Sequence, residues 1–253
     1  MAGVLAWSCS SDTTRRPADG PVSPTPITRQ ARVLVVTHTE GFRHTSIPLA
    51  ESTISALGQR SGLFTASFCR TADDVASMLT PSALSGVDAI VFANTTGTLP
   101  VPDLRSLLNW IGEGHGFAGM HSASDTYHDA PAYLDMLGNE FLIHGDQAMV
   151  DARVENAAHP ASSPLGPRFP VFDEIYRFSR SNRGDVTMLL SLDRYPVDGL
   201  PGAGEPADLP LAWAKTYGQG RVFYTALGHR EDVWQNVLYQ QHILGGIRWV
   251  LRL

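Results

Sequence analysis

Gly116-Phe117-Ala118-Gly119-Met120-His121-Ser122-Ala123-Ser124-Asp125-Thr126 is the stretch on which the reading of this chain turns. Residues 116–120 are small or apolar, as in a short strand covered on both faces, and the run breaks sharply at His121. Gly119 to Ala123 thus has the form of a nucleophile elbow. Such a turn leads from strand to helix and holds one side chain above the sheet, in a strained conformation, beside free backbone N–H groups. Here that side chain is an imidazole.

Upstream of the elbow, apolar strand-like runs alternate with helical patterns. Arg32 to Thr37, Phe64 to Cys69 and Asp88 to Asn94 read as strands. Between them, Ile47 to Ser61 spaces Leu49, Ile54 and Leu57 as a helix stopped by Gly62, and Asp73 to Thr80 reads as a shorter one. Pro102 to Glu113 opens with a helix-compatible proline and keeps Leu104, Leu107, Leu108 and Ile111 on one face. This alternation implies right-handed crossovers and a parallel sheet.

Downstream the pattern is richer in strand: Ala148–Glu155, Val171–Ser179, Val186–Leu192, Leu211–Tyr217 and Arg221–Ala226. Tyr217-Gly218-Gln219-Gly220 reads as a hairpin turn, 193–208 as a loop, and 232–251 as one closing helix.

Composition narrows the function. A chain of 253 residues with 43% hydrophobic and 17% charged residues can bury a sizeable core. Its net charge of −6, with no Lys/Arg run, argues against nucleic acid or an anionic membrane as partner. No apolar run is long enough to span a bilayer. The two cysteines cannot build a disulfide framework, and Cys69, inside an apolar run, reads as a buried inert thiol.

The other cysteine, Cys9, follows Leu5-Ala6-Trp7-Ser8, which resembles the end of a bacterial lipoprotein signal. Residues 10–30 are rich in Ser, Thr, Pro and Asp, as in a tether. The expected organisation is therefore a tail over 1–30 and a single domain over 31–253. A bacterial protein lipid-anchored at Cys9 and exported, and a cytoplasmic one, stand as alternatives.

In open parallel sheets, sites form beyond the carboxyl ends of the strands. The polar residues fall there: His38 and His44 after the first strand, Asn94 after the third, and His121, Ser122, Ser124 and Asp125 after the fourth. His229 follows the last strand. His115, His159 and His242 read as solvated loop histidines, Arg43 as a partner of Glu40, and Trp234, Trp249 and Phe223 as core aromatics.

At the elbow the resemblance to known proteins becomes specific. Class I glutamine amidotransferases carry cysteine there and a His-x-Glu near the C-terminus. This chain has His121 and His229-Arg230-Glu231, so the covalent glutaminase mechanism is not available to it. From Arg32 to the C-terminus the chain resembles the trehalose-utilisation (ThuA-like) family. The resemblance rests on Gly41-Phe42-Arg43-His44-Thr45-Ser46-Ile47, Gly119 to Thr126 and Asp173-Glu174-Ile175-Tyr176. It continues in Pro210-Leu211-Ala212-Trp213, Gly218 to Tyr224 and Leu227-Gly228-His229. Gly138 to Gly145 departs from the pattern around His144.

The resemblance implies a doubly wound, flavodoxin-like α/β fold, mostly parallel, with helices on both faces and a strand-rich C-terminal half. It also implies carbohydrate metabolism, with a small-molecule sugar or glycoside as partner, and fixes no reaction.

Three chemistries suit the residues. In one, His44, His121 and His229 ligate a divalent metal such as zinc, which polarises a carbonyl or activates water. In another, His121 and His229 act as general base and acid on an oxidised (keto) sugar, as in a lyase or hydrolase, with Asp125 or Glu174 orienting an imidazole. In the third, the pocket binds sugar without turnover, as a carbohydrate-binding domain. Tyr127, Tyr176 and Trp213 are then apolar platforms, and His44, Asn94, Ser122 and His144 polar contacts. No nucleotide cofactor is expected.

Overall fold

The computed structural model describes residues 1, 3 and 29–253. Cys9 and most of the expected tail therefore lie outside the described residues. The strands are β1 (Ala31–Val36), β2 (Phe64–Cys69), β3 (Ala89–Ala93), β4 (Gly116–Met120), β5 (Phe141–His144) and β6 (Ala148–Val154). They continue as β7 (Arg168–Asp173), β8 (Tyr176–Phe178), β9 (Thr187–Arg194), β10 (Pro206–Tyr217) and β11 (Gly220–Thr225). The helices are α1 (Ile47–Ser61), α2 (Ala72–Met78), α3 (Leu104–Gly112), α4 (Pro131–Leu137), α5 (Glu231–Gln235) and α6 (Val237–Val250).

Among the described residues, nine strands form one sheet in the order β2-β1-β3-β4-β11-β10-β9-β6-β7. Its first five members run parallel, and β10, β9, β6 and β7 extend it as antiparallel neighbours. The expected strand-rich half thus lengthens the sheet, and β5 with β8 adds a separate two-stranded ribbon. The expected hairpin joins β10 to β11 with Tyr217 opposite Gly220.

The central strands are apolar on both faces because both are covered. Val33, Val35, Val91 and Ala118 pack with Ala50 and Ile54 of α1, Trp234 of α5, and Ile243 and Ile247 of α6. Leu34, Val36, Phe92 and Phe117 pack with Val75 of α2, Leu107, Leu108 and Ile111 of α3, and Tyr133 of α4. Alternate residues of one strand feed opposite cores, as a period of two requires.

Several sequence expectations need correction. The closing helix is two helices, because Asn236 leaves helical geometry and caps α6 with its side chain, accepting from the N–H groups of Leu238 and Tyr239. The strand expected over 171–179 breaks at Glu174-Ile175, where the chain passes from the large sheet to the ribbon. Part of the expected 193–208 loop belongs to β9 and β10, and α4 and β5 have no counterpart in the expected pattern. His159 and His242 are buried rather than solvated. Glu40 bonds His38 at 2.7 Å, while Arg43 reaches the Thr37 carbonyl. Cys69 is fully buried, and burial pushes its thiol up to about 12. Among the described residues no helix is long and apolar enough to cross a membrane.

Candidate active site and metal centre

Four parallel strands deliver the site from one edge of the sheet. His44 lies in the loop between β1 and α1, Asn94 follows β3, His121 follows β4, and His229 lies four residues beyond β11. Strands β4 and β11 are direct neighbours, with Met120 opposite Thr225. The two expected catalytic histidines therefore leave the sheet side by side.

His121 stands where an elbow places it, at φ 50°, in the left-handed region that L-residues rarely adopt. Its carbonyl accepts the Tyr224 hydroxyl at 2.7 Å, and its ring Nδ1 lies 2.8 Å from the Ala226 carbonyl. A carbonyl only accepts, so Nδ1 carries a proton, and in the neutral ring Nε2 then presents its lone pair to the cluster.

The turn carrying His229 is built on Gly228, at φ 122°, where a Cβ would come within 2.7 Å of the Tyr239 hydroxyl. The Gly228 carbonyl accepts from Asn94 Nδ2 (2.9 Å) and Trp234 Nε1 (2.8 Å). Its N–H donates to Asp173 Oδ2 at 2.7 Å, while Asp173 Oδ1 accepts the Glu174 N–H at 3.0 Å. Asp173 thus clasps the segment bearing Glu174 to the turn bearing His229. Glu231 accepts a hydrogen bond from Thr45 and so ties that turn to the His44 loop.

These supports converge four side chains. One potential ligand atom from each of His44, His121, Glu174 and His229 lies within 4.8 Å of all the others. His44 Nε2 and His121 Nε2 are 3.2 Å apart, His121 Nε2 and Glu174 Oε1 3.5 Å, and His229 Nδ1 and Glu174 Oε1 3.4 Å. Metal bonds of about 2.0–2.1 Å in a tetrahedron set their ligand atoms roughly 3.3 Å apart. The three observed separations match that spacing, so these four residues can hold a divalent ion.

The local chemistry agrees. His121 Nε2 has one lone pair, yet the Tyr176 hydroxyl (2.9 Å), His44 Nε2 and Glu174 Oε1 all crowd it. His229 Nδ1 is buried without a hydrogen-bond partner, its approach to Glu174 being ionic only. Burial, with His121 and His229 nearby, lowers His44 to about 3 and keeps that ring neutral. Burial works to raise Glu174, but the imidazoles of His121 and His229 outweigh it and hold the carboxyl well below the ordinary range. Glu174 in turn raises His229.

Above the cluster is a pocket of about 200 Å³ lined by Phe42, His44, Asp125, Phe141, His144, Glu174, Tyr176 and His229. His144 Nδ1 lies 3.1 Å from Glu174 Oε2. Asp125, expected to orient the imidazole of His121 or His229, pairs instead with that of His128. Its Nε2 is 2.7 Å from Asp125 Oδ1, and its Nδ1 is 2.8 Å from Glu140 Oε1.

Of the residues read as substrate contacts, His44, His144 and Tyr176 lie on the pocket wall. The other four do not. Trp213 is fully buried and donates to the Leu137 carbonyl at 2.8 Å, and Tyr127 donates to the Leu99 carbonyl inside the core. Asn94 is spent on the Gly228 turn, and Ser122, also buried, lies 3.5 Å behind His44 Nδ1. Sequence reasoning missed Phe42 and Phe141 on the wall, and Asp173 as the clasp. An apolar Phe42 in an otherwise polar loop was the available signal.

Comparison with known proteins follows the fold. A ThuA-like protein from Bacteroides uniformis superposes with a TM-score of 0.71 at 20% identity, covering 93% of this chain and 95% of that one. A second, from Parabacteroides merdae, gives 0.73 at 18% identity, covering 88% and 90%. A cytoplasmic protein of Salmonella typhimurium gives 0.59 at 16% identity, covering 87% and 99%. No curated protein sequence matches. The trehalose-utilisation family model matches residues 32–250. With all but the two ends of its sequence matched, the chain belongs to the trehalose-utilisation (ThuA) family.

Proposed function

We infer that the protein acts on a small sugar or glycoside, in oxidised (keto) form, as a metal-assisted lyase or hydrolase. His44, His121, His229 and Glu174 hold the metal, with zinc the best match to three imidazoles and one carboxylate. The observation that carries this reading is the set of separations of 3.2, 3.4 and 3.5 Å among their ligand atoms. A bound zinc would supply Lewis acidity at a sugar carbonyl or at water. Trehalose utilisation, the family's description, supports a sugar as substrate. The pocket agrees in size: about 200 Å³ is below the roughly 300–1,000 Å³ of sites for drug-sized ligands and suits one sugar ring.

The chain's own groups divide the remaining work. Asp125 Oδ1 is engaged by His128, which leaves Oδ2 to accept a proton from the carbon beside the keto group. His144 Nδ1 is engaged by Glu174 and the Gly145 carbonyl, which leaves Nε2 to exchange a proton with the departing oxygen. The Tyr176 hydroxyl, 2.9 Å from His121 Nε2, would be released by a metal on that nitrogen and orients a substrate oxygen near the cluster.

Metal analysis of the purified protein tests the assignment. One equivalent of zinc is expected, lost in His121→Ala, together with release of aglycone or sugar from 3-keto glucosides. Turnover persisting in metal-free protein would favour a second reading. In that reading His229, raised by Glu174, is the acid and His121 the base. Glycoside binding with neither metal nor product would identify a carbohydrate-binding domain instead.

A further inference from the structure

Asp125 is held by a residue that does not line the pocket. His128 Nε2 lies 2.7 Å from Asp125 Oδ1, and His128 Nδ1 lies 2.8 Å from Glu140 Oε1. Asp125 is on the pocket wall, whereas Glu140 lines a neighbouring cavity of about 280 Å³ with Leu134, Asn139 and Arg180. His128 joins the two. An ionised carboxylate only accepts, so both ring nitrogens carry protons and the ring is an imidazolium. Burial works to lower His128, but its hydrogen bonds to Asp125 and Glu140 outweigh that and raise it above the ordinary value.

The chain is built to hold this geometry. Tyr127, the residue before His128, is at φ 58°, a left-handed conformation strained for a bulky side chain. It is fixed by its N–H on the Gly97 carbonyl (3.2 Å) and its hydroxyl on the Leu99 carbonyl (3.1 Å). On the other side, the Glu140 N–H donates to Asn139 Oδ1 at 3.0 Å, and buried Asn139 donates to the Arg180 carbonyl at 2.9 Å. Other charged groups nearby are engaged elsewhere. Arg180 pairs with Asp185, Asp135 of α4 faces Lys215, and on the pocket side His144 pairs with Glu174. Asp129 follows His128 in the chain. Among the described residues only Asp125 and Glu140 bond the His128 ring.

We propose that His128, braced by Glu140, is a positioning residue that occupies Asp125 Oδ1 and turns the bare Oδ2 to the pocket. This rests on the reading of Asp125 as the base in the proposed function. Asp125, His128 and Glu140 together carry one negative charge before Oδ2 takes the proton from carbon and none after it, with the imidazolium intact throughout. A neutral ring has one N–H for two carboxylates, so loss of its proton releases one of them and Asp125 is no longer fixed. The alkaline limit of turnover is therefore set by His128, and the charge of Glu140 sets how high that limit lies.

The pH dependence of 3-keto glucoside turnover by the zinc-loaded full chain, followed beside the NMR titration of His128, tests this role. The alkaline limb of kcat is expected to coincide with that titration and to move down with it in Glu140→Gln. His128→Gln, which keeps a donor without the charge, is expected to lose roughly ten- to hundredfold in kcat, with KM changed by less than about twofold. His128→Arg, which stays charged, is expected to recover part of that loss and to show no such limb. These variants are expected to match the wild type by circular dichroism, because the His128 side chain is 40% exposed. Full kcat in His128→Gln would overturn the positioning role and leave the proposed function standing. So would a limb left in place in Glu140→Gln while the His128 titration moves. His128 titrating alike in the wild type and Asp125→Asn would overturn the pairing whatever the turnover. Absence of turnover in the wild type would instead remove the proposed function, and the positioning role with it.

Discussion

Acidification from about pH 7.5 to about pH 4.5 is expected to expose the burial of His242 as a loss of folding free energy. The ring is fully enclosed, with Nδ1 donating to the Ala161 carbonyl at 2.8 Å and Nε2 unpartnered. Burial lowers it from 6.5 to about 4. The unfolded chain therefore binds a proton through this window while the folded chain resists it, and stability falls as pH drops below 6.5. Each pH unit between the two values is worth about 1.4 kcal/mol, so His242 alone costs about 2.5 kcal/mol by pH 4.5. His159, also lowered to about 4 by burial, and His44 push in the same direction. His128 and His229, raised by their carboxylates, gain stability as pH falls from 7.5 toward 6.5, so they oppose the loss only at the top of the window and add nothing to it below. Urea unfolding of the wild type and His242→Asn, across this pH range, isolates the one group, since Asn keeps a donor near Nδ1. The variant is less stable at neutral pH, but its loss on acidification is expected to be smaller by about 2.5 kcal/mol. Parallel curves for the two proteins would refute the reasoning.

Asp173→Asn turns an amide donor toward one of two buried N–H groups. It is expected to cost about 3 kcal/mol and to weaken zinc binding, read by denaturant unfolding and by metal titration. Trp213→Phe removes one buried hydrogen bond, worth about 1 kcal/mol, and is expected to leave glycoside affinity unchanged; a weakened affinity would return Trp213 to the pocket. In Glu140→Gln the His128 titration followed by NMR is expected to move down, because one of the two carboxylates holding the imidazolium is gone. Glu174→Gln is expected to abolish stoichiometric zinc, checked by elemental analysis, with the fold intact by circular dichroism.

The parallel half of the fold was legible because each strand is a short apolar run with a helix behind it, and covered strands leave that signature at Val33, Val91 and Ala118. The convergence of His44, His121 and His229 was legible for a related reason. Residues just past the carboxyl ends of parallel strands share one edge whatever the loops do. Aromatic side chains carried no such signal. Trp213 and Tyr127 are core residues with their polar atoms turned to backbone carbonyls, while Phe42, apolar, stands in the open. Burial of a ring depends on which loop lies over it, and local sequence does not encode that. The break at Glu174 was hidden for the same reason. It is a change of sheet, visible only once β7 has β6 as neighbour and β8 has β5.

The position of β11, wedged between β4 and β10, has a consequence for biosynthesis. The strand made last among the eleven described occupies the middle of the sheet, and the loop after it brings in His229. A chain made only as far as Gln219 lacks the strand that joins β4 to β10 and the residue that closes the cluster of His44, His121, Glu174 and His229. The order of synthesis thus leaves both the middle of the sheet and the site to be completed last, when β11 slots home.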